Sequence, residues 1–107
     1  MGRVTDAVLN RFVAECLPRL RARFHLDLVL IFGSRARGDA LAESDIDLLV
    51  VSEAFRSLSF LERATAVLTE LDAPFAVDVL CYTPEEFERK REEYGTVSAA
   101  LEEGVRV

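Results

Sequence analysis

No stretch of the 107-residue chain approaches the roughly 18 consecutive apolar residues that cross a bilayer. Its first residues, MGRVTDAVLNRF, also lack the apolar centre of a secretory signal. A membrane protein or an exported one is therefore not expected, and the chain reads as cytoplasmic. Its two cysteines, Cys16 and Cys81, lie far apart with no C-x-x-C or Cys/His spacing, so they read as reduced, buried, small apolar residues rather than zinc ligands or a disulfide. The one histidine, His25, sits between a helical stretch and a strand, where a cap or an exposed position suits it better than ligation. Neither G-x-x-x-x-G-K-[ST] nor G-x-G-x-x-G occurs, which removes support from kinase and dinucleotide-fold readings. A formal net charge of -6, with acids concentrated after position 84, argues against binding of DNA or RNA through phosphates. Internal repeats, low-complexity segments and linkers are absent, and the length suits a single domain over residues 1–107.

What is present is apolar periodicity. Half of the residues are hydrophobic, enough for one sizeable core. Val4, Val8, Phe12, Cys16, Leu20 and Phe24 recur at i+4, which predicts an amphipathic helix over 4–24 that Pro18 ends, kinks or divides. DLVLIF, at 27–32, is an apolar run of strand length that stops at Gly33-Ser34, and DIDLLVV, at 45–51, is a second. Between them RARGDALAES is polar, with room for one short helical turn. Residues 57–72 place Leu58, Leu61, Ala64, Val67, Leu68 and Leu71 on one helical face, and FAVDVLCY, at 75–82, is a third strand. Thr83, Pro84 and Glu86 form a capping box that starts another helix, and the closing stretch reads as a short helix with a frayed end. Its charged face, Glu85, Glu86, Glu88, Glu92 and Glu93 with Arg89, Lys90 and Arg91, reads as solvated and without chemistry.

Loop lengths then constrain geometry. The short connection between the first two strands predicts an antiparallel pair, whereas the helix-bearing crossover predicts that the second and third are parallel. Ser34, Asp45, Asp47 and Asp78 then meet at one edge of the sheet. Two carboxylates two residues apart on a strand point to one face and repel unless a cation or a proton intervenes. Burying such charges between apolar residues is costly without a partner. Hard oxygens of this kind suit Mg²⁺ or Mn²⁺, which take further ligands from water and substrate phosphates, and Asp78 offers a third carboxylate. Gly33 allows close backbone approach, Ser34 can bond phosphate oxygens, and Arg35 and Arg37 can clamp the same phosphates. Each also has a plainer role: a strand-start residue for Asp45, an edge charge for Asp47, a satisfied buried aspartate for Asp78, a turn for Gly33-Ser34, and surface charges for the arginines.

GSRARGDALAESDID matches the spacing G-S, ten residues, D-x-D, and with it the chain resembles the minimal nucleotidyltransferase (MNT) family of the DNA polymerase beta-like superfamily. FAVDVLCYTPEEF resembles the segment that carries the third metal-binding aspartate of that family. The resemblance implies an α+β fold, a small mixed sheet of three to four strands flanked by helices as in the polymerase beta palm. It implies two divalent ions, Mg²⁺ or Mn²⁺, and ATP as substrate. Asp45 and Asp47 would bind the metals, Asp78 would share one and help activate the acceptor hydroxyl, and Gly33, Ser34 and Arg35 would hold the triphosphate. Family members of this size are antitoxins of two-gene modules that attach AMP to a tyrosine of a HEPN-domain toxin, so a hetero-oligomer with such a toxin is implied. Two alternatives stay open: a small-molecule acceptor such as an aminoglycoside, and a non-catalytic module that neutralises a toxin by contact.

Overall fold

The computed structural model describes residues 6–39 and 44–107. The long amphipathic stretch near the start is divided in two, α1 at Ala7–Glu15 and α2 at Leu17–Arg23. Pro18 stands in the first turn of α2, where its missing N–H costs nothing, so the chain breaks at Cys16 and resumes. Asp6 caps α1, its carboxylate accepting from the Val8 and Leu9 amides at 2.8 and 3.2 Å.

Four strands follow: β1 at Leu28–Phe32, β2 at Ile46–Val51, β3 at Val77–Tyr82 and β4 at Val105–Arg106, in the order β3-β2-β1-β4. As loop length requires, β1 and β2 are antiparallel and β2 and β3 parallel. The parallel pair is joined through a 3₁₀ turn at Glu53–Ser57 and helix α4 at Phe60–Leu71. The segment read as a frayed end instead forms α6 at Thr96–Glu103 and then β4, antiparallel to β1 with Ile31 opposite Val105. Gly104 makes that reversal, because a Cβ there would come within 2.3 Å of the Ala100 carbonyl oxygen.

Alternation divides the core between the two sheet faces. Val29, Ile31, Ile46, Leu48 and Val50 pack with α1, α2 and α4 around Phe12, Leu20, Val67 and Leu71. Leu30, Leu49 and Val51 pack on the other face with Phe87 of α5, at Pro84–Arg91, and with Val97 and Ala100 of α6. This is the α+β sandwich of helices about a small mixed sheet that the sequence implied.

Helix α4 departs from the expected stripe. Its inward row is Arg63, Val67 and Leu71, while Leu61 and Leu68 are 78% and 42% exposed. The cause is Arg63, which is 6% exposed. Its guanidinium donates to the Phe55 and Leu58 carbonyls at 3.0 Å each, to the Cys81 carbonyl at 3.3 Å and to the Glu86 carboxylate at 2.6 Å. The reading of Glu86 as merely solvated is thereby corrected, since it closes the capping box of α5 and neutralises a buried cation. Cys16 and Cys81 are free and buried, and burial pushes the Cys81 thiol up to about 12. His25 is exposed, 3.8 Å from Asp27. Among the described residues no helix is long and apolar enough to cross a membrane.

Candidate active site

At the end of β1 the chain turns at Gly33, with φ of +78°, into the short helix α3 at Gly33–Arg37, which ends at a left-handed Gly38. Register places Phe32 opposite Asp47 and Asp47 beside Asp78, so three strands contribute one row. The Asp47 carboxylate lies over Gly33, and a Cβ on Gly33 would stand 2.1 Å from Asp47 Oδ2. Glycine is required here twice, by the backbone angle and by the neighbouring carboxylate.

The three aspartates are not equally buried. Asp47 is half-buried, whereas Asp78 and Asp45 are exposed, and Asp45 precedes β2 instead of lying on it. Partial burial is thus confined to Asp47, which lies within the interior strand β2, whereas Asp78 stands on the edge strand β3 and Asp45 precedes β2. Burial pushes the Asp47 carboxyl above its ordinary value, and the charges of Asp78 and Asp45 push in the same direction against a smaller pull from Arg37. The structure thus gathers like charge around one carboxylate. Among the described residues, no three His, Cys, Asp or Glu side chains form a ready-made metal cage.

Asp47 and Asp78 open into a cavity of about 220 Å³ whose other walls are Phe32, Val79, Leu80 and Thr96. Larger clefts, of about 350 and 330 Å³, lie along α5 and α6 and contain none of the three aspartates. The chemistry favours the smaller one, where acidic side chains converge over an apolar floor. Thr96 was invisible to pattern reading: it opens a helix far along the chain, and only packing of α6 on the sheet brings it here.

The arginines are engaged within the protein. Arg35 is buried, donating to Asp6 Oδ2 at 2.7 Å and to the Ser44 carbonyl at 3.0 Å, so it ties the α1 cap to the approach to β2. Burial alone would raise Asp6, but the hydrogen bonds from Arg35, Leu9 and Val8 outweigh it and hold the carboxyl below its ordinary value. Arg37 is exposed and bonds Glu103 at 2.7 Å and Asp39 at 3.3 Å. Ser34 is half-buried, one residue beyond Gly33, and its carbonyl accepts from the amides of Gly38 and Asp39. Structure therefore joins Gly33, Ser34, Asp47 and Asp78, sets Asp45 beside them, and places Arg35 in the scaffold.

Comparison with known proteins places most of the chain within one family. A model of the nucleotidyltransferase domain matches residues 13–105. A Methanocaldococcus jannaschii protein, provisionally named a protein adenylyltransferase, is 40% identical over 50 residues, which are 45% of this chain and 34% of that one. The match thus spans about a third of that relative. A Sulfolobus solfataricus crystal structure, provisionally described as a nucleotidyltransferase, has a TM-score of 0.57 and 28% identity over 83% of this chain and 84% of its own. The fold is shared with a crystal structure of a toxin-antitoxin with AMP-PNP, at a TM-score of 0.56 and 23% identity, covering 87% of this chain and 69% of that one.

Proposed function

From the premise that this chain belongs to the nucleotidyltransferase domain family, we propose that it transfers AMP from ATP to a hydroxyl of a partner protein, a tyrosine of a HEPN-domain toxin, and thereby acts as an antitoxin. The observation that carries the reading is the Asp47–Asp78 pair, one row wide, with a glycine held against it by a φ and a contact that exclude other residues. The provisional name of the archaeal relative supports a protein acceptor, and the toxin-antitoxin structure with AMP-PNP supports the partner class and the nucleotide.

The residues fit a hard divalent cation. Asp47 is a carboxylate whose charged form is disfavoured by burial and by two like neighbours, which is the setting a cation relieves. The lack of a three-residue cage is no obstacle to Mg²⁺, which commonly takes one or two carboxylates and completes its shell with water and phosphate oxygens. Asp47, Asp78 and Asp45 are the residues that would hold it, and it would supply neutralisation of the pyrophosphate and acidification of the acceptor hydroxyl. Asp78, exposed at the cavity mouth, takes the acceptor proton as the acceptor oxygen bonds the α-phosphorus in line and the bond from that phosphorus to the α–β bridging oxygen breaks, releasing pyrophosphate. Gly33 and Ser34 let the triphosphate lie against the backbone at the start of α3. Arg35 acts one step removed, holding the turn through Asp6 and Ser44.

Mixing the protein with MgATP and its toxin, then measuring intact mass, should show nucleotidyl additions that vanish for Asp47→Asn. No addition under any divalent metal would refute transfer to protein. A second reading, neutralisation by contact alone, draws on the exposed Phe60, Leu61 and Leu68 of α4. It requires the Asp45→Asn, Asp47→Asn double variant to protect cells from the toxin as well as the wild type does.

A further inference from the structure

We propose that the cleft beyond Thr96 seats the nucleobase of the donor nucleotide, an inference that rests on the nucleotidyl-transfer reading above. The cavity at Asp47 and Asp78 is bounded on one side by Thr96, and Thr96 also lines a second cavity of about 160 Å³ with Tyr82, Lys90, Glu93, Tyr94 and Val97. The two adjoin at Thr96, which is a wall of both. Asp78, Leu80 and Tyr82 alternate on the same face of β3, so Tyr82 lies about 13 Å along the strand from Asp78. A nucleotide whose phosphates sit at the aspartates has its ribose and base to place, and the adjoining cavity offers walls for them.

The size and chemistry of the cleft suit a planar base. About 160 Å³ is well short of the roughly 300 Å³ at which pockets for drug-sized molecules begin, so it has room for part of a nucleotide and not for the whole. Tyr94 is fully exposed, so both faces of its ring are open to stacking. Tyr82 is held in place by Phe60, with ring centroids 5.8 Å apart and planes at 51°. Burial, with Glu86 and Glu93 nearby, raises the Tyr82 hydroxyl and keeps it a donor. Lys90 Nζ and Glu93 Oε1 stand 3.9 Å apart, a donor beside an acceptor, which is the pattern that the polar edge of a base complements. The larger cleft of about 330 Å³ between α5 and β4, with Asp27, Phe87, Arg91 and Arg106 in its walls, shares no residue with the aspartate cavity.

Calorimetric titration of MgATP and of magnesium tripolyphosphate into wild type, Tyr94→Ala and Tyr94→Phe tests this. Tyr94 is exposed, so its substitution leaves the fold intact. Loss of a base–aromatic stack should weaken MgATP binding by about tenfold in Tyr94→Ala, leave tripolyphosphate within about twofold, and be restored in Tyr94→Phe. Unchanged MgATP affinity in Tyr94→Ala overturns the proposal, and an accompanying rise in the KM for the acceptor would assign the cleft to the acceptor instead. Tripolyphosphate binding as tight as MgATP binding in the wild type would remove the base subsite while leaving nucleotidyl transfer standing. Binding of neither probe would overturn both.

Discussion

Replacing Gly33 by alanine tests the geometry on which the site depends. Two costs arise, and they are separable. A side chain at φ of +78° is strained by about 1–2 kcal/mol, whatever surrounds it. The new Cβ would also fall 2.1 Å from Asp47 Oδ2, inside the 3.0 Å that real Cβ contacts respect, so the carboxylate or the strand must give way. Moving a packed group off its rotamer in this way costs about 1–2 kcal/mol more. Gly33→Ala should therefore lose about 2–4 kcal/mol of stability, a large share of the ~5–15 kcal/mol that a domain possesses. In an Asp47→Ala background the second cost disappears, since the carboxylate is gone and the shared Cβ contact of 3.4 Å is ordinary. The same glycine substitution should then cost only the ~1–2 kcal/mol of backbone strain, leaving a coupling of about 1–2 kcal/mol in the double-mutant cycle. Urea denaturation of the four proteins, with m-values compared, measures it. Equal costs in both backgrounds would show that Asp47 does not lie over Gly33, and the row that carries the functional reading would fail with it.

Other consequences follow from titration and packing. Asp47 has a folded value above its ordinary one, so its contribution to stability is full below the usual aspartate range and is lost as pH rises through the folded value. In metal-free protein Asp47→Asn should therefore be more stable than wild type at neutral pH, with the gap closing toward pH ~4 and shrinking again when Mg²⁺ is added; thermal melts across pH would show it. Glu86 runs the other way. Its value falls from 4.5 to about 2, first through the hydrogen bond from Arg63, so its contribution is present above 4.5 and is lost as pH falls through 2. With Glu86 about one-third exposed, solvent screening brings this to about 2 kcal/mol, which Glu86→Gln should remove at neutral pH and not in acid. An unchanged acid limb in that variant would contradict the pairing. On α4, Leu71→Ala should cost about 2–4 kcal/mol and Leu61→Ala less than about 0.5, a contrast that chemical denaturation resolves.

Both local structure and the chemical candidates were legible in the order of residues. Pro18 marked the helix break, Thr83, Pro84 and Glu86 marked the start of α5, and connection lengths alone gave the antiparallel and parallel pairings. Spacing also singled out Gly33, Ser34, Asp45, Asp47 and Asp78 as candidates, because turn chemistry and strand alternation are properties of neighbours in the chain. What packing decided lay between distant segments. Arg63 turned inward because three carbonyls and Glu86 from another helix satisfy it, and no periodicity encodes a partner 23 positions away. Arg35 left the phosphate candidates for the scaffold because Asp6, far behind it, caps α1 at the right height. Thr96 and β4 joined the picture only when the last helix folded onto the sheet and returned a strand to β1. Local rules fix which groups a segment offers, whereas burial and charge are settled by what arrives opposite them, and that is a property of the tertiary structure alone.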